Sequence, residues 1–409
     1  MYNQVIKNPF KSFWMAGFEC TDQLNAFGNR VDFLNITSHL ELIQQDYQDL
    51  KAFNIKTVRE GLRWSQIEKT PEKYDFSTFQ MMLEVGRETG IQQIWDICHF
   101  GFPDDLSPVH PHFTGRFVAL CRALALFYKS LGYEEPLIVT PINEVSFMSW
   151  LGGDVAGTSP YCRNNGWEVK YSYMRAYIAG VKALKEVDPA IRILTTEPLV
   201  NIVPDLNATP REIQDAKNHH ETQYQSVDML CGRICPELGG KPEYLDMLGF
   251  NYYYNNQWIL HPHKILGWYD SVPHPYLRSF SSLIQEAYAR YNRPVVLTET
   301  SHPGKDRPRW IKYISYQIQK VLKENIPFWG VCIYPIIDRP DWDHLHHPWH
   351  KSGLWDMDPA LGLKSRVLHQ PTAKALLTGQ ELLSATLSQA NNQQEYSLVK
   401  ENADELVVS

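Results

Sequence analysis

The sequence lacks the long apolar run that a membrane-spanning helix needs. No stretch reaches 18 apolar residues, and the nearest candidate, 118–127, is interrupted by Arg122. The N-terminal segment MYNQVIKNPFKSFW has no apolar core followed by a small-residue cleavage site, so we expect no signal peptide. These absences predict a soluble, cytoplasmic protein that has no membrane partner.

Basic residues are also in deficit relative to acidic ones, which argues against a polyanion as the main partner. Lys and Arg total 39 against 46 Asp and Glu, so the formal net charge is −7. This balance argues against nucleic acid as the main partner. The seven cysteines are odd in number and scattered, which is not typical of a disulfide framework, and we expect most of them to be reduced core residues.

Signals for a bound metal or cofactor are weak. No G-x-G-x-x-G follows the first apolar strand, and no C-x-x-C pair is present. The run 341–350 holds four histidines, but their spacing is irregular, and we interpret it as a loop at the rim of a pocket. We therefore predict no metal and no cofactor.

Strand-like and helix-like apolar segments alternate along the chain. The predicted strands cover 13–18, 55–62, 92–98, 137–142, 191–195, 245–251, 295–298 and 328–333. The first predicted helix, 38–53, begins with Ser38 and Glu41 at the spacing of a capping box. Strands separated by helices pair in parallel, so eight such units predict an α/β protein with one (β/α)₈ TIM barrel over residues 1–378. The polar segment 379–409 is expected to be a loosely ordered C-terminal tail.

Polar side chains follow most of these strands, where a barrel carries its catalytic groups. Two of them, Glu144 and Glu299, come directly after apolar strands. Cleavage of a glycosidic bond needs such a pair, with one carboxyl group to protonate the leaving oxygen and one to attack the anomeric carbon. Aromatic residues make up 12% of the chain, and their rings can stack on sugars.

Several segments then occur in the order known from one enzyme family. They are FWMAG at 13–17, VREGLRWS at 58–65, CHFGFP at 98–103, INE at 142–144, LGFNYY at 248–253, VLTE at 296–299, DRPDW at 338–342 and SGLWD at 352–356. In this order and spacing the chain resembles glycoside hydrolase family 1, the β-glucosidase-like barrel glycosidases with carboxylates on strands four and seven. The resemblance runs from about residue 12 to 360 and indicates a divergent member.

The resemblance implies a set of site residues and a reaction. Glu144 would be the acid/base and Glu299 the nucleophile of a retaining β-glycosidase that acts on small β-glycosides or oligosaccharides. The residues implied to bind substrate or support the pair are Arg59, His99, Asn143, Asn251, Tyr253, Tyr334, Asp341, Trp342, Asp22 and Gln23.

The departures from the family pattern concern sugar binding more than cleavage. Phe100 and Tyr334 stand where the family has Trp, and Asp341 stands where it has Glu. The first-strand Gln of the family is displaced to Asp22 or Gln23, while Glu19 and Glu197 could be sugar ligands or structural carboxylates.

Two alternatives remain open: a transglycosylase that uses the same residues, and a catalytically silent carbohydrate-binding relative. The sugar, the aglycone, exo or endo action and the oligomeric state are not specified by these patterns.

Overall fold

A computed structural model of the protein describes residues 7–346, 349–358, 362 and 364–407, with side chains up to residue 388. Eight parallel strands form a curled sheet that closes on itself. They are β1 (Trp14–Gly17), β2 (Thr57–Gly61), β3 (Gln92–Cys98), β4 (Ile138–Ile142), β5 (two pieces, Arg192–Ile193 and Glu197–Pro198), β6 (Leu248–Asn251), β7 (Val295–Thr300) and β8 (Phe328–Ile333). Strand β1 pairs with both β2 and β8, and β5 pairs with both β4 and β6. The predicted (β/α)₈ barrel is confirmed.

A long helix follows each strand and covers the outside of the barrel. These helices are α1 (His39–Leu50), α2 (Ser77–Thr89), α3 (Phe113–Ser130), α4 (Gly166–Val187), α5 (Pro210–Glu221), α6 (Phe280–Tyr291), α7 (Arg307–Lys323) and α8 (Gln370–Val407). Shorter helices occupy Phe33–Ile36, Trp64–Ile67, Val145–Met148 and Gln225–Leu230. Strands 201–203, 257–259 and 264–265 form a small outer sheet, and strands 355–356 and 367–368 form a hairpin-like pair. None of the helices in the described part of the chain is long and apolar enough to cross a bilayer.

The apolar residues form two layers because successive strand residues point to opposite faces. One layer fills the space between the strands and the helices. The second fills the floor of the barrel with side chains from seven strand regions: Met15, Ile94, Ile138, Leu194, Met247, Val296 and Cys332. Five of the seven cysteines are buried, and all seven are free thiols, as expected. A dry floor leaves the opposite end of the barrel for polar groups.

Two details of the predicted helices differ. Ser38 has a left-handed backbone (φ 54°) and makes no capping hydrogen bond, so the predicted capping box at Ser38 is wrong. Helix α8 continues through Val407, and Leu383 within it is buried. The boundary predicted at 378/379 therefore falls inside a helix, at Gly379, where an added Cβ would lie 2.3 Å from the Ser315 hydroxyl of α7. The division of the chain into a barrel and a tail stays a prediction.

A buried charged network ties the first helix to the outer face of the barrel. His39 of α1 lies between two carboxylates, 2.7 Å from Asp46 and 3.0 Å from Glu60 of β2. Arg366, on the segment after β8, binds the same Asp46. Burial alone lowers the pKa of His39, but the charges and hydrogen bonds of Glu60 and Asp46 outweigh it and raise the pKa to about 9. The network therefore holds the segment around Arg366, which follows β8, against α1, which follows β1.

We expect this network to make stability fall at alkaline pH. The folded-state pKa of His39 lies above its unfolded value of about 6.5, so its contribution is complete below that pH and is lost as the pH rises through about 9. The loss in unfolding free energy is on the order of 3 kcal/mol. Urea unfolding at pH 6.5 and 9.5 measures it. His39→Gln should flatten this dependence, and His219→Gln, on the exposed face of α5, should not; equal pH dependence in both variants would contradict the assignment.

Candidate active site

The polar side chains at the carboxyl ends of the strands converge inside the barrel. Eight of the twelve predicted site residues form one hydrogen-bonded cluster: Arg59, His99, Asn143, Glu144, Asn251, Tyr253, Glu299 and Tyr334. All are buried except Glu144 and Tyr253, which are half-buried. The cluster therefore meets solvent on the side of Glu144.

Arg59 lies at the centre of this cluster. Its guanidinium donates to the Glu299 carboxylate (2.9 Å) and to the Thr298 carbonyl (2.8 Å). It also contacts the Asp96 carboxylate at 2.5 Å and the Asn143 side-chain oxygen at 3.3 Å. Only 1% of Arg59 is exposed, so these partners satisfy a charge that has no access to water.

An irregularity in β7 brings Glu299 into the barrel. The register against β6 shifts between Leu297 and Glu299, so β7 holds one extra residue there. A bulge of this kind re-aims side chains, and here two consecutive residues face inward. Thr298 donates to Asn251 (2.6 Å), and Glu299 accepts from Arg59 and from the Tyr253 hydroxyl (2.7 Å). Strict alternation would have turned Glu299 toward the helices.

Glu144 occupies the first position after β4 in a strained conformation. Its backbone is left-handed (φ 47°, ψ 54°), which is uncommon for a residue with a side chain and often marks a functional position. Its carboxyl group accepts a hydrogen bond from Asn251 (2.9 Å). Burial and the negative charges of Glu299 and Glu197 raise the pKa of Glu144 well above its ordinary value. These surroundings therefore favour the protonated form of Glu144 more than water does.

His99 closes the cluster on the side of β1. Its ring contacts Asp96 (2.7 Å) and lies 3.4 Å from the Tyr334 hydroxyl. Burial lowers the pKa of His99, but the hydrogen bond and charge of Asp96 and the charge of Glu19 outweigh it and raise the pKa. These surroundings favour the protonated imidazole, so this corner of the cluster holds hydrogen-bond donors.

Two further residues reach this corner: Glu19, which the sequence left open between a sugar ligand and a structural carboxylate, and Arg339. Glu19 lies 3.4 Å from the Tyr334 hydroxyl and 3.7 Å from His99, and Arg339 pairs with it at 3.0 Å. Glu19 had a signal in the sequence, because it follows β1 as a polar strand-end residue. Arg339 had none, since it lies in the loop after β8 where no periodicity orients a side chain.

Tyr334 needs space that a neighbouring strand supplies. A Cβ added at Gly17 would lie 2.0 Å from the Tyr334 ring. The ring also stacks on His99, with centroids 5.7 Å apart. Gly17 is therefore required so that Tyr334 can lie across the barrel.

The remaining predicted residues lie at the edge of the cluster or behind it. Trp342 is half-buried and packs against Phe100 and Phe147, with ring centroids 5.5 and 6.1 Å apart. Asp341 is partly exposed and accepts backbone hydrogen bonds within its own loop. Asp22 accepts from the Ser65 amide and Gln23 is buried; neither has a described contact with the cluster. Their sugar-binding roles stay predictions.

One group among the described residues has the side chains for a metal ion. The ligand atoms of Cys20, Asp96 and His99 lie within 4.8 Å of one another. Asp96 is already paired with the Arg59 guanidinium and hydrogen-bonded to His99. A cation would meet a positive charge there, so this donor set fits a metal poorly. In the run 341–350, His347 and Pro348 lie outside the described residues.

The architecture is similar to that of several solved glycosidases. A β-glucosidase from Thermotoga maritima in complex with glucoimidazole superposes with a TM-score of 0.71 at 15% identity, over 92% of this chain and 98% of that chain. A family 1 β-glucosidase from the same organism gives 0.70 at 15% identity, over 92% and 97%. A β-glycosidase from Pyrococcus horikoshii gives 0.67 at 15% identity, over 86% and 88%.

This chain has the fold of the family 1 β-glucosidases. No family model and no curated protein matches its sequence, so the likeness is one of structure. Within this family 1 β-glucosidase fold, Glu144 follows β4 and Glu299 lies in β7. The order of the sequence motifs predicted this fold, and the comparison confirms it.

Replacing Arg59 should destabilise the protein strongly. Arg59→Met would leave Asp96 and Glu299 buried without their counter-charge, and breaking such a pair costs about 3–5 kcal/mol of unfolding free energy. Urea unfolding near pH 7 measures the loss. Arg122→Met removes an exposed arginine that pairs with Glu186, and should leave stability nearly unchanged. Similar urea unfolding midpoints for the two variants would show that the ion pairs of Arg59 do not stabilise the protein.

Proposed function

We propose that the protein is a retaining β-glycosidase that hydrolyses O-glycosidic bonds of small β-glycosides or oligosaccharides. Glu144 acts as acid/base and Glu299 as nucleophile. The observation that carries this proposal is the contrast between two carboxyl groups of one cluster. Glu299 is ion-paired with Arg59, whereas the pKa of Glu144 is raised by burial and by the charge of Glu299. Environments that separate two carboxyl groups in this way are typical of acid/base pairs.

The contacts support a two-step reaction. In the first step the Glu144 proton passes to the glycosidic oxygen, the bond from that oxygen to the anomeric carbon breaks, and a Glu299 oxygen bonds to that carbon. In the second step the Glu144 carboxylate takes a proton from water, and the water oxygen displaces Glu299. The Arg59 guanidinium and the Tyr253 hydroxyl orient the attacking carboxylate. The Asn143 amide, 3.4 Å from Glu299, is placed to bind the sugar 2-hydroxyl.

The surroundings of the pair support a carbohydrate as the partner. His99, Tyr334 and Glu19 offer donors and acceptors for hydroxyl groups on one side of Glu299. The half-buried ring of Trp342 packs edge-on against Phe100, which contacts His99, and offers an aromatic surface beside the cluster. Sugars present both kinds of surface, since their hydroxyl groups lie at the ring edge and their C–H groups on its faces. Phe100, Tyr334 and Asp341 depart from the family pattern, so the preferred sugar need not be that of the family. Hydrolysis rates on a panel of aryl β-glycosides with gluco, galacto, fuco and xylo configurations would identify it.

The roles of the two glutamates can be separated by azide rescue. Glu299→Gly should abolish turnover of an aryl β-glycoside, and azide should enter the vacated space and give the α-glycosyl azide. Glu144→Gly should slow turnover by about 10²–10⁴-fold, and azide should then attack the glycosyl-enzyme and give the β-glycosyl azide. Proton NMR of the anomeric hydrogen distinguishes the products.

Glu134→Gly, in an exposed loop before β4, is the matched control and should keep wild-type turnover. Unimpaired turnover in Glu299→Gly, or one azide anomer from both site variants, would overturn the assignment. An added alcohol acceptor tests the transglycosylase alternative, because transfer would yield alkyl glycoside in place of free sugar. Wild-type protein that binds sugars without any turnover would instead be the silent relative.

A further inference from the structure

A buried carboxylate that the proposed reaction does not use lies directly behind Glu144. Glu197, in the second piece of β5, is 3% exposed. It accepts a hydrogen bond from the backbone N–H of Ser146 (3.1 Å) and interacts with the amide of Val145. These are the two residues that follow Glu144 in the chain.

The turn around Glu144 is therefore hydrogen-bonded to β5 both at Glu144 itself and at the residues that follow it. The backbone N–H of Glu144 donates to the Thr196 carbonyl (2.8 Å), and the next amides donate to the Glu197 carboxylate. Glu144 itself holds a left-handed backbone, which persists only where the surroundings fix it. Glu197 supplies the side-chain half of that attachment.

The charge of Glu197 also acts on Glu144. The groups facing Glu197 are Lys170 and Tyr177 of α4 and Glu144 at the end of β4. Lys170 is buried, and its ammonium donates to Gln225 (2.8 Å). The pKa of Glu197 is raised overall by burial, and the Ser146 hydrogen bond and the charge of Lys170 offset part of that rise. Glu144 is faced in addition by Glu299, Arg59 and Asn251.

A small cavity also borders Glu197. It is lined by Glu197, Thr196, Tyr177 and Ser226 among others, between β5, α4 and the helix Gln225–Leu230. The buried hydroxyls of Thr196 and Tyr177 have no hydrogen-bond partner among the described side chains. Glu197 is therefore enclosed on this side as well, away from bulk solvent.

We propose that Glu197 is a positioning residue for Glu144: its carboxylate fixes the turn that carries the acid/base and provides the carboxylate that Glu144 faces from β5. The proposal rests on the proposed role of Glu144. It extends that role because a residue on a different strand then helps to set the upper pH limit of activity through Glu144.

The test compares Glu197→Gln and Glu197→Asp. Glu197→Gln keeps the shape but removes the charge, so the pH above which kcat/KM for an aryl β-glycoside falls should move downward. Glu197→Asp keeps the charge, but its shorter side chain moves the carboxylate away from the Ser146 amide and loosens the turn that carries Glu144. The kcat should therefore fall about tenfold, while the pH above which kcat/KM falls stays nearer to the wild-type value. A merely structural role would lower kcat in both variants and leave the pH limit unchanged.

A second measurement does not depend on turnover. The C=O stretch of protonated Glu144, identified by its absence in Glu144→Gln, can be followed by infrared difference spectroscopy as pH rises. In Glu197→Gln the band should disappear at lower pH than in wild type. Glu286→Gln, which removes a half-buried carboxylate of α6 that binds His220, Tyr224 and Arg278, is the control and should leave the band unchanged.

The outcomes separate the two proposals. A band that titrates identically in wild type and Glu197→Gln overturns the role of Glu197, whether or not the protein hydrolyses glycosides. If the band of Glu197→Gln disappears at lower pH but the wild-type protein has no glycosidase activity, the coupling of Glu197 to Glu144 is supported and only the proposed function is overturned.

Discussion

The buried guanidinium of Arg59 is the constraint on which the rest of the site depends. It compensates the charges of Asp96 and Glu299 and also binds the Thr298 carbonyl, so it links β2 to β3 and to the irregular part of β7. A charge at this depth is tolerated only when all its partners are in place. The apolar floor beneath it, from Met15 to Cys332, excludes water and makes those partners necessary. The site and the barrel core are therefore stabilised together.

The alternation of β2 places two charged networks on opposite faces of one strand. Arg59 points into the barrel toward Glu299, whereas the next residue, Glu60, points outward to His39 and Tyr47. The inner network holds the nucleophile candidate, and the outer one holds α1 and the segment around Arg366. A displacement of β2 along its axis would disturb both networks, so its register is fixed from two sides.

The helices and strands that have a periodic pattern of apolar residues were predictable from the sequence. The strand 92–98 was predicted with its observed bounds, and Glu144 and Glu299 were located because polar residues directly follow apolar strands. The inward position of Glu299 was not predictable by alternation, since it depends on a register shift in β7 that only pairing with β6 defines. The contact of Glu19 with Arg339 depends on the path of the loop after β8, which carries no periodic signal. Ser38 had the right spacing for a cap, but its left-handed backbone turns the side chain away from that role.

The contact between Gly17 and Tyr334 has a consequence for how the barrel mouth can vary. The space that the missing Cβ leaves on β1 is the space that the ring after β8 fills. The two positions therefore share one volume, and neither can change size alone. A larger residue at 17 requires a smaller one at 334, and that exchange would move a hydroxyl group away from His99 and Glu19. The shape of this corner of the site is thus encoded jointly by the first and last strands, which are the most distant strands in sequence and neighbours in the closed sheet.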